Sequence, residues 1–555
     1  MSSGLRSGRR GALGVLLVAG LLIAACGDDD DSSSPTDTAG GGTAGDSVAD
    51  SGADSSEEGG GGSDAPLLIA RGMDVNSLDP SRAYCDTCQI YMTAVYETLI
   101  GLDEDNTTLV PRLATEWASN ADQTQFTFQL DPAAKFADGS AVTSADVQFS
   151  WERLQKLEGS ASYLVSGIES IETPDPQTVV VNMTSSNSAF LAQVNGPYLG
   201  IVNSKLAQEN GATTDPTTDA AEQWFLGNSA GSGPFTLASY AEGNELRLAR
   251  NDSYWRDPAA FPEVVIKETP QAVTQRQQLE QGAVDIAMQI SNDVATDMSG
   301  GDVTVERAPS FNFVYLALSP GAAGGEELTP EVLQAIRLAL DYTGIVDVTV
   351  GGSGRPQPSP IPNGFLGTDG LATPEQDVEA AKALLADAGV TSLDLDATFP
   401  SLNVYGVDFA TVMQKVQSDL KEVNINLELN PVEIAVWADK ITTDGIPVTA
   451  LYFAPDHTDP SQYVQYFGLL EGSQWQTWTR QPPNATELDL LGQALAEQDL
   501  AKRGELYQQL ANAMIEDGVI IPLVNPDLFL AARSDITGMH YSACCNLDLY
   551  RLGRG

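Results

Sequence analysis

The sequence predicts a mixed α/β protein of several packed units behind a solvated leader. Three observations predict it. Strand and helix signals alternate from Leu67 onward without a short repeat. Apolar residues make up 42 % of a 555-residue chain, enough for real cores in two to four domain-sized units. The composition also changes abruptly near residue 65.

Residues 1–26 read as an export signal. Arg6, Arg9 and Arg10 form a positive start, and Gly11 to Ala25 is an unbroken small and apolar run. Fifteen residues fall short of the roughly 20 that span a bilayer core. The run ends Leu22-Ile23-Ala24-Ala25-Cys26-Gly27, which resembles the bacterial lipobox and makes Cys26 the lipidation candidate. A plain secretory signal is the alternative. Residues 27–66 carry eleven acids and no Lys or Arg, and bury too little to offset chain entropy. They are expected to form an acidic Gly/Ser tether extended by self-repulsion.

The whole chain has 28 Lys and Arg against 76 Asp and Glu, a net charge of −48. Beyond the leader, 65 acidic and 25 basic residues remain. Such a surface repels phosphate backbones, so no nucleic-acid partner is expected. Two histidines, His457 and His540, leave little material for metal clusters or a histidine-based catalytic centre. No enzyme activity, cofactor or metal is expected. Cys85, Cys88, Cys544 and Cys545 are disulfide candidates in an exported chain, with three connectivities open. A bridge between the two clusters requires both chain ends in one lobe.

Along the body, Gln125 to Leu130 alternates polar and apolar as a half-buried strand. Thr143 and Asp146 form a capping pair for a helix through Phe149, Trp151 and Leu154. Thr178 to Met183 and Glu245 to Leu248 are strands. Thr329-Pro330-Glu331 starts a helix with Val332, Leu333, Ile336, Ala339 and Leu340 on one face. Thr373-Pro374-Glu375 repeats that start signal, with Gly389 as the stop. Phe409 to Leu420 is helical, Ile425 to Leu429 a strand, and Leu491 to Met514 one long helix.

Several segments recur in a recognisable order. They include Ser77-Leu78-Asp79-Pro80, Val95-Tyr96-Glu97-Thr98-Leu99, Phe136-Ala137-Asp138-Gly139, Thr143-Ser144-Ala145-Asp146-Val147 and Gly231-Ser232-Gly233-Pro234-Phe235. Asn251 with Tyr254-Trp255, Gly282-Ala283-Val284-Asp285, Ile336 to Asp341, Ala381 to Leu385, Arg503, Leu506-Tyr507 and Ile521-Pro522 follow. Together they resemble the family 5 extracellular solute-binding proteins, the peptide- and nickel-type receptors of ABC importers. The resemblance covers about residues 77 to 540. It implies a periplasmic-binding-protein-like α/β fold, two lobes hinged around a ligand cleft and one lobe with an extra subdomain. The expected division is 67–317 plus 520–555 for lobe I, with a subdomain at about 111–219, and 318–519 for lobe II.

The resemblance also implies a binding site. In peptide-binding members an aspartate at the position of Asp456 pairs with the ligand's α-ammonium. His457 lies beside it. Dipeptide-binding members place an arginine for the ligand carboxylate where this chain has Asn403, which weakens a dipeptide assignment. Longer peptides, neutral amides or another cationic solute stay open. Tyr84, Phe453, Phe311, Asn312 and Trp437 are further cleft candidates, with Trp224, Trp475 and Trp478 as possible wall aromatics. The expected function is a monomeric, lipid-anchored extracytoplasmic receptor for a peptide or similar solute, serving an ABC permease and its ATPase. A receptor for nickel or a metal chelate, with His457 as ligand, and a secreted hydrolase are the alternatives.

Overall fold

The structure is a computed structural model and describes residues 65–298 and 301–555. The export signal, Cys26 and nearly all of the tether lie outside the described residues. Two large apolar cores, with a smaller third cluster around Ala70, Leu279, Ala287 and Phe529, organise the body. The first gathers residues from Leu67 to Met288 together with Leu528 to Leu552. The second runs from Phe313 to Val524. Phe313–Leu318 and Ile520 to Val524 therefore pack with the second core, a few residues away from the expected limits at 317/318 and 519/520.

One mixed sheet runs through both cores. In the second, parallel strands Ile425–Val432 and Leu393–Pro400 lead to Val448–Phe453, then antiparallel to Phe313–Leu318 and Ile520–Arg533. The path continues in the first core through Ile286–Ala287, Leu67–Arg71, Glu263–Glu268, Glu245–Arg250 and Phe235–Ala241. Strand Ile520–Arg533 serves both halves. It pairs with Phe313–Leu318 up to Val524, and with Val303–Pro309 from Asp527 onward. The chain thus passes between cores at Ser310-Phe311-Asn312 and at Asn525-Pro526. These passes are tied together, because Asn525 Nδ2 donates to the carbonyls of Ser310 (3.0 Å) and Asn312 (2.6 Å). The Ser310 hydroxyl donates to Pro526 O at 2.6 Å.

Local chemistry explains the elements. Phe126, Phe128 and Leu130 turn inward from Gln125–Leu130, which joins a separate four-stranded antiparallel sheet with Ala114–Ser119, Thr178–Met183 and Ile168–Asp175. Helix Ser144–Leu157 starts at the expected capping box. Helix Pro330–Ala339 starts at Thr329 and buries Val332, Leu333, Ile336 and Ala339. Two expectations shift. The helix assigned to Thr373 begins at Val378, capped by Asp377. The preceding residues bond the end of helix Pro330–Ala339 instead, Asp377 N to Leu338 O and Gln376 Nε2 to Ala339 O. The long helix expected from Leu491 to Met514 is two, Ala485–Ala496 and Leu500–Asp517. Asp499 accepts from Ala501 N and Lys502 N, and such a cap starts a new helix rather than continuing one.

Most of the recurring segments are ties within the first core. Asp79 accepts from both terminal guanidinium nitrogens of Arg153 at 2.6 Å, and Asp219 accepts from its Nε at 2.8 Å. Buried Glu97 accepts from Tyr254 Oη (2.8 Å) and Trp255 Nε1 (2.7 Å). Any Cβ at Gly231 would overlap the Val95 carbonyl, so only glycine fits there.

Candidate functional site

Strand Val448–Phe453 lies beside Phe313–Leu318 with Phe453 opposite Phe313, so its end meets the passage between the cores. The loop 454–460 leaves at that point and is held from several sides. Gln462 Oε1 accepts from Asp456 N at 2.7 Å, and Gln462 Nε2 donates to the carbonyls of His457 and Asp459. Asp459 accepts from Arg503 Nη2 (2.6 Å), Tyr507 Oη (3.1 Å) and Ser461 N (2.9 Å). Arg503 and Tyr507 thus clamp the loop that carries Asp456.

The Asp456 side chain crosses to the first lobe. Its Oδ2 accepts from Tyr84 Oη (2.7 Å) and Tyr163 Oη (2.6 Å), whereas no described residue hydrogen-bonds Oδ1. Asp456 is 3 % exposed. Burial raises its pKa to about 6 although both phenols stabilise the anion. Tyr84 and Tyr163 are pushed well above the usual phenol value, chiefly by burial and then by the Asp456 charge, so both remain donors.

A cavity of about 590 Å³ opens at this carboxylate. The first lobe supplies Met73, Asp74, Tyr84, Asp86, Gln89 and Tyr198. The second supplies an aromatic wall of Trp437, Tyr452, Phe453, Tyr466 and Trp478. Tyr466 packs on Phe453 with centroids 4.6 Å apart, and Trp478 meets Trp437 edge-on at 5.7 Å. Such a volume suits a small organic ligand. None of the lining residues is Lys, Arg or His.

The first-lobe rim is fixed by the start of helix Asp86–Val95. Cys85 is bonded to Cys88, and Cys85 caps the helix. Tyr198 Oη holds Cys85 from the side, accepting from its N–H at 3.1 Å. Cys544 and Cys545 are unbridged, their sulfurs 2.9 Å apart, on the segment between Ala543 and Leu547, which belong to the first core. No bridge joins the two cysteine pairs.

The expected site residues divide. Asp456, Tyr84, Phe453 and Trp437 come together on the cavity, with Trp478. Asn403 does not line it; it stands exposed in a short hairpin, and its neighbour Leu402 reaches the cavity instead. Phe311 and Asn312 sit in the passage between cores, where Phe311 meets Phe365 edge-on (4.8 Å) and Asn312 is fully buried. His457 is buried beneath the loop, and its Nδ1 accepts from Asp459 N at 3.2 Å. Burial lowers its pKa to about 4, outweighing the opposite pull of Asp459, so the ring is neutral at neutral pH. Trp475 is fully buried in the second core, and Trp224 packs on the first. Ser229, inside a Gly-x-Ser-x-Gly string, accepts from Leu237 N and bonds neither histidine.

Tyr163, Asp86, Gln89, Tyr198 and Tyr466 escape sequence reasoning. Tyr163 lies 293 positions from Asp456, on a 3-10 turn with no motif of its own. A signal existed only for Asp86 and Gln89, which share the helix that follows Tyr84.

Comparison with known proteins supplies the family. Residues 108–475 match the model of the bacterial extracellular solute-binding proteins, family 5. The chain is 28 % identical over 483 residues to a probable D,D-dipeptide-binding periplasmic protein of Escherichia coli, covering 86 % of this chain and 91 % of the relative. It is 25 % identical to the dipeptide-binding protein of the same organism, covering 80 % and 86 %. Among solved structures, a dipeptide-binding protein from a Pseudoalteromonas species in complex with Met-Leu superposes with a TM-score of 0.78 at 20 % identity, over 88 % of this chain and all of that one. NikA from Brucella suis in complex with Fe(III)-EDTA gives 0.76 at 21 %, over 89 % and 100 %. The chain belongs to family 5 of the bacterial extracellular solute-binding proteins.

Proposed function

We propose that this protein captures a peptide, or a similar small solute with a positive end, in the cavity between its lobes and delivers it to the permease and ATPase of an ABC importer. One observation carries the reading. Asp456 is a nearly enclosed carboxylate with one oxygen held by two tyrosines and the other left for the cavity. An ammonium there gains a charge-assisted hydrogen bond in a low-dielectric setting. The relatives' peptide ligands agree with it. With no basic lining residue, the ligand's carboxylate meets no charged partner.

Closure follows from the two passages between the cores, which act as the hinge. Tyr84 and Tyr163 from one lobe and Asp456 from the other meet only when the lobes approach. The chemistry is binding, with no covalent step. The metal-chelate alternative needed His457 at the ligand, and His457 is beneath the loop instead. Lipidation at Cys26 and the acidic tether complete the proposal, holding a monomeric body at the outer face of the membrane. Phe311 and Asn312 become hinge residues in this reading.

Native mass spectrometry of gently purified protein tests it. A co-purified peptide or amine, displaced by excess alanyl-alaninamide, is the expected result. Calorimetry adds a second check: alanyl-alaninamide should bind and its N-acetylated form should not. Equal affinity for both forms refutes the role of Asp456.

A further inference from the structure

The Asp456 corner accounts for one positive charge, yet the cavity is more acidic than one cation requires. Asp86 lines it from the first turn of helix Asp86–Val95. Its Oδ2 accepts from Tyr405 Oη of the other lobe at 2.9 Å, and no described residue hydrogen-bonds Oδ1. Asp74, beside it on the cavity wall, accepts from Asp86 N (2.8 Å), Thr87 N (2.9 Å) and Thr87 Oγ1 (2.6 Å). Arg71 stands 4.0 Å from Asp74 and also acts on Asp86, so one cation is shared by two carboxylates.

An independent group points the same way. Gln89, one turn further along the helix, is 4 % exposed and lines the cavity. Its Nε2 donates to Pro455 O at 3.4 Å, while no described residue donates to its Oε1. Asp86 Oδ1, Gln89 Oε1 and Asp456 Oδ1 are three acceptors on one cavity, two of them anionic. A ligand that answers them must be rich in N–H donors and positive at two places. The Trp437, Tyr452 and Trp478 faces suit a cation or its alkyl stem between the two corners.

We propose that Asp86, assisted by Gln89, forms a second cation subsite, so that the preferred ligand carries two separated positive charges, such as a peptide with a lysine or arginine side chain or a diamine. This rests on the reading that Asp456 takes the first cation. Asp86 and Asp456, facing one aromatic-walled cavity, repel each other, and a dication relieves both at once. Tyr405 closes the subsite from the second lobe, so filling it also favours the closed form.

Calorimetry on the full chain at pH 7.5 tests this with two pairs of neutral-ended probes. These are lysyl-alaninamide against norleucyl-alaninamide, and alanyl-lysinamide against alanyl-norleucinamide. In wild type the lysine member of at least one pair should bind tenfold or more tighter. Asp86→Asn, which keeps an acceptor for Tyr405, should reduce that preference to less than threefold. Asp456→Asn should weaken both members of the pair. Equal binding within both pairs overturns the second subsite and leaves the Asp456 reading standing. A preference that survives Asp86→Asn also overturns it. Loss of lysine preference alone in Asp86→Asn, with norleucine binding retained, supports it and shows that the variant is folded. If Asp456→Asn weakens neither member, the underlying reading fails separately. If no probe binds wild type, both fail.

Discussion

Replacing Asp456 by asparagine should weaken the ligand and strengthen the empty protein. Tyr84 and Tyr163 both donate to Oδ2, so an asparagine oxygen can take both bonds while its amide nitrogen faces the cavity. The packing is unchanged, but the anion is gone. Losing a charge-assisted contact costs about 2–4 kcal/mol, roughly 30- to 1000-fold in affinity for a monocationic ligand. Stability should move the other way. The carboxyl's pKa is raised from 3.8 to about 6 in the fold, so the folded state binds the proton more tightly than the unfolded state. That preference favours folding fully below pH 3.8 and fades as pH rises through 6. At pH 7.5 the ionised carboxylate therefore weakens the empty protein by about 3 kcal/mol relative to a neutral group, since each pKa unit is about 1.4 kcal/mol. For a body of this size that is about 3 °C in melting temperature. Thermal unfolding of ligand-free wild type and Asp456→Asn at pH 7.5 and pH 4, with calorimetry of alanyl-alaninamide at pH 7.5, reads both effects. The variant should melt higher at pH 7.5, and the gap should nearly close at pH 4. A variant that melts lower at pH 7.5, or binds the amide as wild type does, refutes the reasoning.

Four further outcomes are expected. Affinity for alanyl-alaninamide should fall about tenfold between pH 7 and pH 5, because Asp456 titrates near 6 and only the anion binds the ammonium; a flat profile by calorimetry contradicts this. Arg153→Met should destabilise the first lobe by about 3–5 kcal/mol, since it strands Asp79 and Asp219 without their shared cation, and denaturant unfolding measures it. Denatured, unreduced mature body should show two free thiols by thiol titration, from Cys544 and Cys545, and two more after reduction of Cys85–Cys88. Cys26→Ser should move the protein from the detergent phase to the aqueous phase in a phase-partition assay, and a variant that stays with the detergent removes the anchor proposal.

The sequence by itself determined the class, two of the helix starts and the family framework. Phe126, Phe128 and Leu130, the Thr143–Asp146 cap and the Thr329-Pro330 start are local patterns, and local hydrogen bonds and periodicity decide them. It also pointed to Asp456, through the loop that follows an apolar strand and the resemblance it carries. Where local signals competed, it misplaced ends. Thr373-Pro374 offered a cap, but the bonds of Gln376 and Asp377 to the neighbouring helix kept that stretch extended. Only the tertiary structure decided the cavity. Asp456 meets Tyr84 across 372 positions and Tyr163 across 293, and Asp86 meets Tyr405 across 319. No spacing rule reaches that far. Asn403 and His457 adjoin cavity residues along the chain, yet Asn403 stands in a hairpin and His457 is buried in a clamped loop, while Phe311 and Asn312 lie in the passage between cores. Which side of a loop faces the cavity depends on the residues packed behind it, here Gln462, Arg503 and Tyr507, and that packing exists only once both cores have formed.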